Sequence, residues 1–167
     1  MPDAPNQPPE IKTETDIEIP EGMYPSRMDD RGRVKFPVVI QKYLEKFEDK
    51  RLYVTSLDRR IAQVYPMAYW KQTKKFMESY KQNPKAAKRT AFNAADLGAV
   101  TEMDSQARVL FSPELRRALK MEDQPVHMYA YRGHIKVFTK AVYEEDQLAA
   151  AANPAEDVDE LEQAGMP

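Results

Sequence analysis

Apolar and polar residues alternate over short stretches of this chain, and each alternating stretch runs into residues with helical spacing. Val34 and Phe36 fall on one side of a two-residue period and Arg33 and Lys35 on the other, which predicts a half-buried strand. Directly after it, Ile40, Tyr43, Leu44 and Phe47 stand at i, i+3, i+4 and i+7, the spacing of a helix face. Pro37 sits at the start of that helix, where a missing N–H removes no hydrogen bond. Two more strands are predicted at 52–55 and 61–65, across a turn holding Asp58, Arg59 and Arg60, and a last helical turn brings Tyr69 back to the core.

The same grammar returns later. Val109 and Phe111 alternate; Ser112 is a ready N-cap with Pro113 behind it; Leu115, Ala118 and Leu119 form the buried stripe of a helix. Strands follow at 126–131 and 134–138, around Arg132-Gly133, and Tyr143 takes the place of Tyr69. Set against each other at an offset of 75 without a gap, 28–44 and 103–119 share Met28/Met103, Asp29/Asp104, Arg33/Arg108, Val34/Val109, Phe36/Phe111 and Leu44/Leu119. Chance gives about one identity over a stretch of this length. A duplicated unit is the economical account.

Between the copies, Tyr69, Trp70, Thr73, Phe76, Met77 and Tyr80 line one side of a helical segment, with Lys71, Lys74, Lys75 and Lys81 on the others. Asn83-Pro84 breaks it and restarts a second helix through Ala86, Ala87, Thr90 and Ala91. The aromatic stripe reads as core or subunit interface. The expected organisation is α+β: a disordered acidic arm at 1–22, a β-rich half at 23–70, a helical connector at 71–97, a second β-rich half at 98–146 and a disordered acidic tail at 147–167.

Charge sharpens this picture. From 21 to 143 there are 24 Lys and Arg against 14 Asp and Glu, while 144–167 holds eight acids and no Lys or Arg. A basic body between acidic tails suits a polyanion, although solvated surface lysines give the same tally. The absence of cysteine excludes disulfides and thiolate metal sites. No apolar run reaches the ~20 residues of a membrane helix. Residues 1–10 lack the regions of a signal peptide, so a cytoplasmic protein with no membrane partner is expected.

The repeated chemistry is Asp-x-x-x-Arg: Asp29-Asp30-Arg31-Gly32-Arg33 and Asp104-Ser105-Gln106-Ala107-Arg108. It predicts a turn between strands. Asp29 and Asp104 brace the turn amides, Gly32 takes positive φ at no steric cost, and Arg33 or Arg108 starts the next strand. A tight hairpin held by an Asp–Arg pair satisfies the pattern equally. Arg31 beside Arg33 adds a second possibility, because two guanidiniums on one short loop suit phosphates and guanine edges together.

Enzyme chemistry finds no foothold. His127 and His134 flank a hairpin without a third ligand at metal-site spacing, and they read as structural. Asp29 and Asp104 each have their own arginine, which favours ionised carboxylates over a shared proton. Ser105 and Ser112 lack a base, and no Gly-rich phosphate loop exists. No cofactor, metal or small-molecule substrate is expected.

The doubled Asp-x-x-x-Arg at this spacing resembles the signature of the MraZ family, whose halves resemble the SpoVT/AbrB domain. The likeness extends from about Tyr24 to Tyr143 and includes Leu57-Asp58, Val64-Tyr65-Pro66, Trp70 and Leu97-Gly98-Ala99-Val100. It implies two tandem halves in a pseudo-twofold, partly intertwined, barrel-like unit and subunits assembled into a ring. It also implies a nucleoid-associated transcriptional regulator, a repressor of the division and cell-wall gene cluster, that binds G-rich direct repeats in double-stranded DNA upstream of its own operon. Carried over by position, Arg31, Arg33 and Arg108 are the DNA contacts, Arg33 first and Arg31 in support. Gln106 and Ala107 depart from the family's basic residue and glycine, which weakens the second loop as a contact and its positive-φ turn. An antitoxin-like or RNA-binding SpoVT/AbrB protein and a ring scaffold without nucleic acid are the alternatives.

Overall fold

The computed structural model describes residues 17–167. Most of the acidic arm expected at 1–22 therefore lies outside the described residues. Among the described residues, eight strands and six helices follow one another in two similar series. The first is β1 (Tyr24–Arg27), β2 (Arg33–Lys35), α1 (Val38–Glu45), β3 (Arg51–Thr55), β4 (Ala62–Pro66) and α2 (Met67–Ser79), then α3 (Pro84–Leu97). The second is β5 (Ala99–Glu102), β6 (Arg108–Leu110), α4 (Pro113–Leu119), β7 (Pro125–Tyr131), β8 (His134–Thr139) and α5 (Lys140–Ala150), then α6 (Pro154–Gln163).

Local signals place the helix ends. Asn83 accepts the Ala86 N–H at 3.1 Å and Ser112 accepts that of Leu115 at 3.3 Å, each with proline behind the cap. Strand pairing is long-range. Six strands form one antiparallel sheet in the order β1-β7-β8-β4-β3-β5, with Val64 opposite Ile135 at its centre. Each series lends its first strand to the other: Tyr24 pairs with Met128, and Val100 with Tyr53. The second strands form a separate ribbon with Val34 opposite Val109.

The barrel-like closure expected from the sequence is not found among the described residues; the sheet is open, with β1 and β5 as its edges. The chain leaves the sheet at Asp29 and Asp104 to build the ribbon, so the outer strands stay only four residues long.

One core unites the two series. Met28, Val34, Phe36, Ile40, Val109, Phe111, Leu115, Met121, Met128 and Ile135 are completely buried in it. Each such side chain contributes about 1.5–3 kcal/mol. Tyr43 ties the series together by donating its hydroxyl to Gly133 O at 2.7 Å.

The connector splits its aromatic stripe. Trp70 stacks on Tyr53 with centroids 4.3 Å apart, whereas Phe76 is 64% exposed and stacks on Tyr80. The disordered tail expected after Gln147 is also corrected, since α5 runs through Ala150 and α6 follows. Alanines favour helix there, Pro154 starts α6, and Glu156 and Asp157 complement its N-terminal dipole. No residue of α6 is buried. Among the described residues, no helix is long and apolar enough to cross a membrane.

Candidate nucleic-acid interface

Two turns built alike flank the ribbon. In the first, Asp29 Oδ1 accepts the backbone N–H groups of Arg31 and Arg33, and Oδ2 accepts Arg33 Nε–H, all at 2.9 Å. Gly32 N–H donates to Asp29 O at 3.2 Å, and Asp29 N–H to Arg33 O at 2.9 Å. In the second, Asp104 Oδ1 accepts from Gln106 and Arg108, and Oδ2 from Arg108 Nε–H, again at 2.9 Å. A short acidic residue with three donors around it closes each loop. The brace and the Asp–Arg pair read from the sequence are both present.

These bonds act on the carboxyls. The Arg33 backbone amide, then the Arg31 amide and the Arg33 guanidinium, hold Asp29 below the ordinary carboxylate range against a partial burial cost. Asp104 is lowered in the same way, first by the Arg108 amide. Each aspartate serves its own loop, as expected of ionised groups and not of a shared-proton dyad.

The backbone takes the left-handed region in both loops, at φ +80° for Gly32 and +61° for Ala107. The doubt cast on the second turn by Ala107 is thus resolved: the Asp104 bonds hold alanine where glycine would go freely. The loops also clasp each other's chain, through Phe36 N–H to Ala107 O and Phe111 N–H to Gly32 O, both 2.9 Å.

The cations differ in freedom. Arg33 and Arg108 are half-buried and engaged by Asp29 and Asp104. Arg31 is exposed, and no carboxylate pairs with it among the described residues. Other arginines divide: Arg59 is matched to Asp96 at 2.6 Å, Arg60 to Asp146 at 2.6 Å and Arg51 to Asp49 at 2.7 Å, whereas Arg89, Arg116, Arg117 and Arg132, like Arg31, meet no carboxylate among the described residues.

A residue the sequence did not single out stands at the first loop. A β-carbon on Gly32 would fall among Cδ, Cζ and Nη1 of Arg116, which α4 of the second series carries across. The offset of 75 places Gln41 as its counterpart, a contrast visible in the sequence once the repeat is aligned.

The histidines sit in aromatic stacks. His134 is buried on Tyr65 at 4.5 Å, and burial, aided by the charges of Lys136 and Arg132, pushes its imidazole down to about 4. His127 lies on Tyr143 at 3.7 Å. Among the described residues no cluster of three His, Asp or Glu converges.

Comparison with known proteins agrees across the full body of the chain. The transcriptional regulator MraZ of Koribacter versatilis (strain Ellin345) is 30% identical over 148 residues, which cover 87% of this chain and 98% of the relative. That of Acidovorax sp. (strain JS42) is 31% identical over 135 residues, 78% and 89% of the two chains. That of Acidobacterium capsulatum is 24% identical over 147 residues, 87% and 98%. No family model matches the chain.

Proposed function

Since the chain belongs to the MraZ family of transcriptional regulators, we propose that it regulates transcription by binding duplex DNA through the paired turns at 29–33 and 104–108. The observation that carries this is Arg31: an exposed guanidinium with no carboxylate partner among the described residues, on a turn whose amides at 31 and 33 and Arg33 Nε–H are held by Asp29. A preorganised loop loses little freedom on binding, and an Arg fork matches guanine O6 and N7 in the major groove. In this arrangement Arg31 reads bases. Arg33 and Arg108, each with Nε committed to its aspartate, offer their remaining amino groups to the backbone. That exchanges the emphasis read from the sequence, where Arg33 came first.

We assign residues 23–70 and 98–146 as SpoVT/AbrB-like halves related by a pseudo-twofold axis, with 71–97 as connector. The palindromic strand order, in which β1 answers β5 and β8 answers β4, supports this. A single loop makes few contacts, so several subunits in a ring acting on successive G-rich repeats would supply avidity. Exposed Phe76 and Phe92, together with a groove of about 600 Å³ bounded by Trp70, Met77 and Tyr80, support contact between subunits. Repression of the cell's division and cell-wall cluster, from the cytoplasm and at the nucleoid, is the role the family suggests.

The test is a salt-titrated binding assay with DNA from upstream of the gene and random DNA of equal length. The upstream fragment is expected to bind tighter, and Arg31→Ala to remove that preference while the oligomer persists. Equal binding of both DNAs by the unaltered protein overturns the proposal.

A further inference from the structure

We infer that Arg116, reaching across from the second series, is a further DNA-contacting cation of the first turn, aimed at a backbone phosphate, and that residue 32 is glycine to leave it room; this rests on the DNA-binding function proposed above. The connection is built by the main chain. Phe111 N–H donates to Gly32 O at 2.9 Å, which pins the beginning of α4 against the loop, and Ser112 caps the helix there. Arg116 lies one turn further on, and its side chain fills the space a β-carbon at 32 would claim.

Among the described residues, nothing neutralises the Arg116 guanidinium. Its Nε is buried without an acceptor, and among the described residues no carboxylate pairs with it. The guanidinium of Arg31, the next residue to Gly32, likewise meets no carboxylate among the described residues. Two cations thus belong to one loop without a carboxylate partner among the described residues. A polyanion supplies the counter-charge. With Nε turned inward, the terminal amino groups are what remain for an outside acceptor, an end-on approach that suits a phosphate oxygen.

The second turn is the internal control. One repeat later, Arg31 becomes Gln106, Gly32 becomes Ala107, and Arg116 answers to Gln41, whose amide instead donates to Phe36 O. Both cations are absent together, and the space the arginine would need is taken by the Ala107 β-carbon. Glycine goes with an arginine laid over it; alanine goes with none.

Gly32→Ala is therefore the sharper variant. Ala107 already adopts φ +61° in the matching loop, so the backbone tolerates alanine, but the new β-carbon must push Arg116 aside. Full-length Gly32→Ala, Arg116→Ala, Arg116→Lys and Arg31→Ala proteins would be measured by fluorescence anisotropy on upstream and random duplexes across a salt series. Gly32→Ala and Arg116→Ala are expected to weaken binding to both DNAs by a similar factor, roughly ten-fold. The slope of log K against log salt falls by about 0.9 for each subunit engaged. Arg116→Lys restores the slope, and oligomer size is unchanged throughout. A wild-type slope in Arg116→Ala, with Arg31→Ala still losing its preference, overturns the Arg116 contact and leaves the proposed function standing. Lost preference for upstream DNA with an unchanged slope overturns the phosphate assignment. Absence of salt-dependent DNA binding by the unaltered protein overturns both.

Discussion

Asp29 and Arg33 are joined three times: Asp29 N–H donates to Arg33 O, and Arg33 returns its backbone N–H to Oδ1 and its Nε–H to Oδ2, each at 2.9 Å. Asp29→Ala removes the acceptor for two backbone amides and one guanidinium at once. The melting temperature is expected to fall by on the order of 3 °C, with Asp29→Asn recovering part of the loss. An alanine variant that melts with the unaltered protein would show that the carboxylate does not hold the turn.

Gln106 occupies in the second loop the position of Arg31 in the first, and it is exposed. Gln106→Arg is expected to leave stability within about 0.5 kcal/mol and to tighten DNA binding several-fold. Anisotropy titration at fixed salt measures this. Unchanged affinity would mean that the second loop never meets the duplex.

The imidazole of His134, against Tyr65, is held down to about 4 by burial and the neighbouring Lys136 and Arg132 charges. The unfolded chain takes up the proton first, near its ordinary value of 6.5. This contribution is therefore intact above that pH and declines as pH falls towards 4, by at most about 1.4 kcal/mol per unit. Asp29 and Asp104, lowered below 3.8, add their own loss only in stronger acid. Urea unfolding at pH 7.5 and 5.0 should show a clear drop in the unaltered protein and a smaller one in His134→Phe. Equal drops in the two would remove His134 from the account.

Tyr43→Phe deletes the buried hydroxyl that reaches Gly133 O. The cost is expected to be about 1–2 kcal/mol, because a carbonyl between the two series loses its partner. Chemical denaturation would detect it, and a neutral result would mean that water replaces the bond without penalty.

Truncation after Ala152 removes α6 and five acids, Glu156, Asp157, Asp159, Glu160 and Glu162, with no basic residue. None of α6 is buried, so the melting temperature of the isolated chain should hold. Random DNA should bind more tightly at low salt as competing negative charge leaves. Weaker or equal binding would rule out an electrostatic brake.

What was legible in the sequence is what local chemistry decides. The Asp29 and Asp104 turns, the Ser112 cap, the helix restart at Asn83-Pro84 and the alternation at Val34 and Phe36 each depend on residues a few positions apart, and all are present. The exchange of β1 and β5 was foreshadowed only by the resemblance, as partial intertwining, because Tyr24 finds Met128 across the chain and no short pattern encodes such a partner. The helical tail was not legible because its acidic run points to disorder, while its alanines and the Pro154 start favour helix. Arg116 escaped notice because the space it fills is defined by what residue 32 lacks, and that shows only when the second copy is laid beside the first.

With β1 lying on β7 and β5 on β3, neither series can depart without carrying off an edge of the other. The two turns consequently arrive in fixed one-to-one ratio, however many chains come together. A homodimer of single units would have to make every change in both copies, whereas here an arginine persists beside a glutamine. The covalent join gives the molecule a front and a back, and with them a heading along any linear ligand that repeats in one direction.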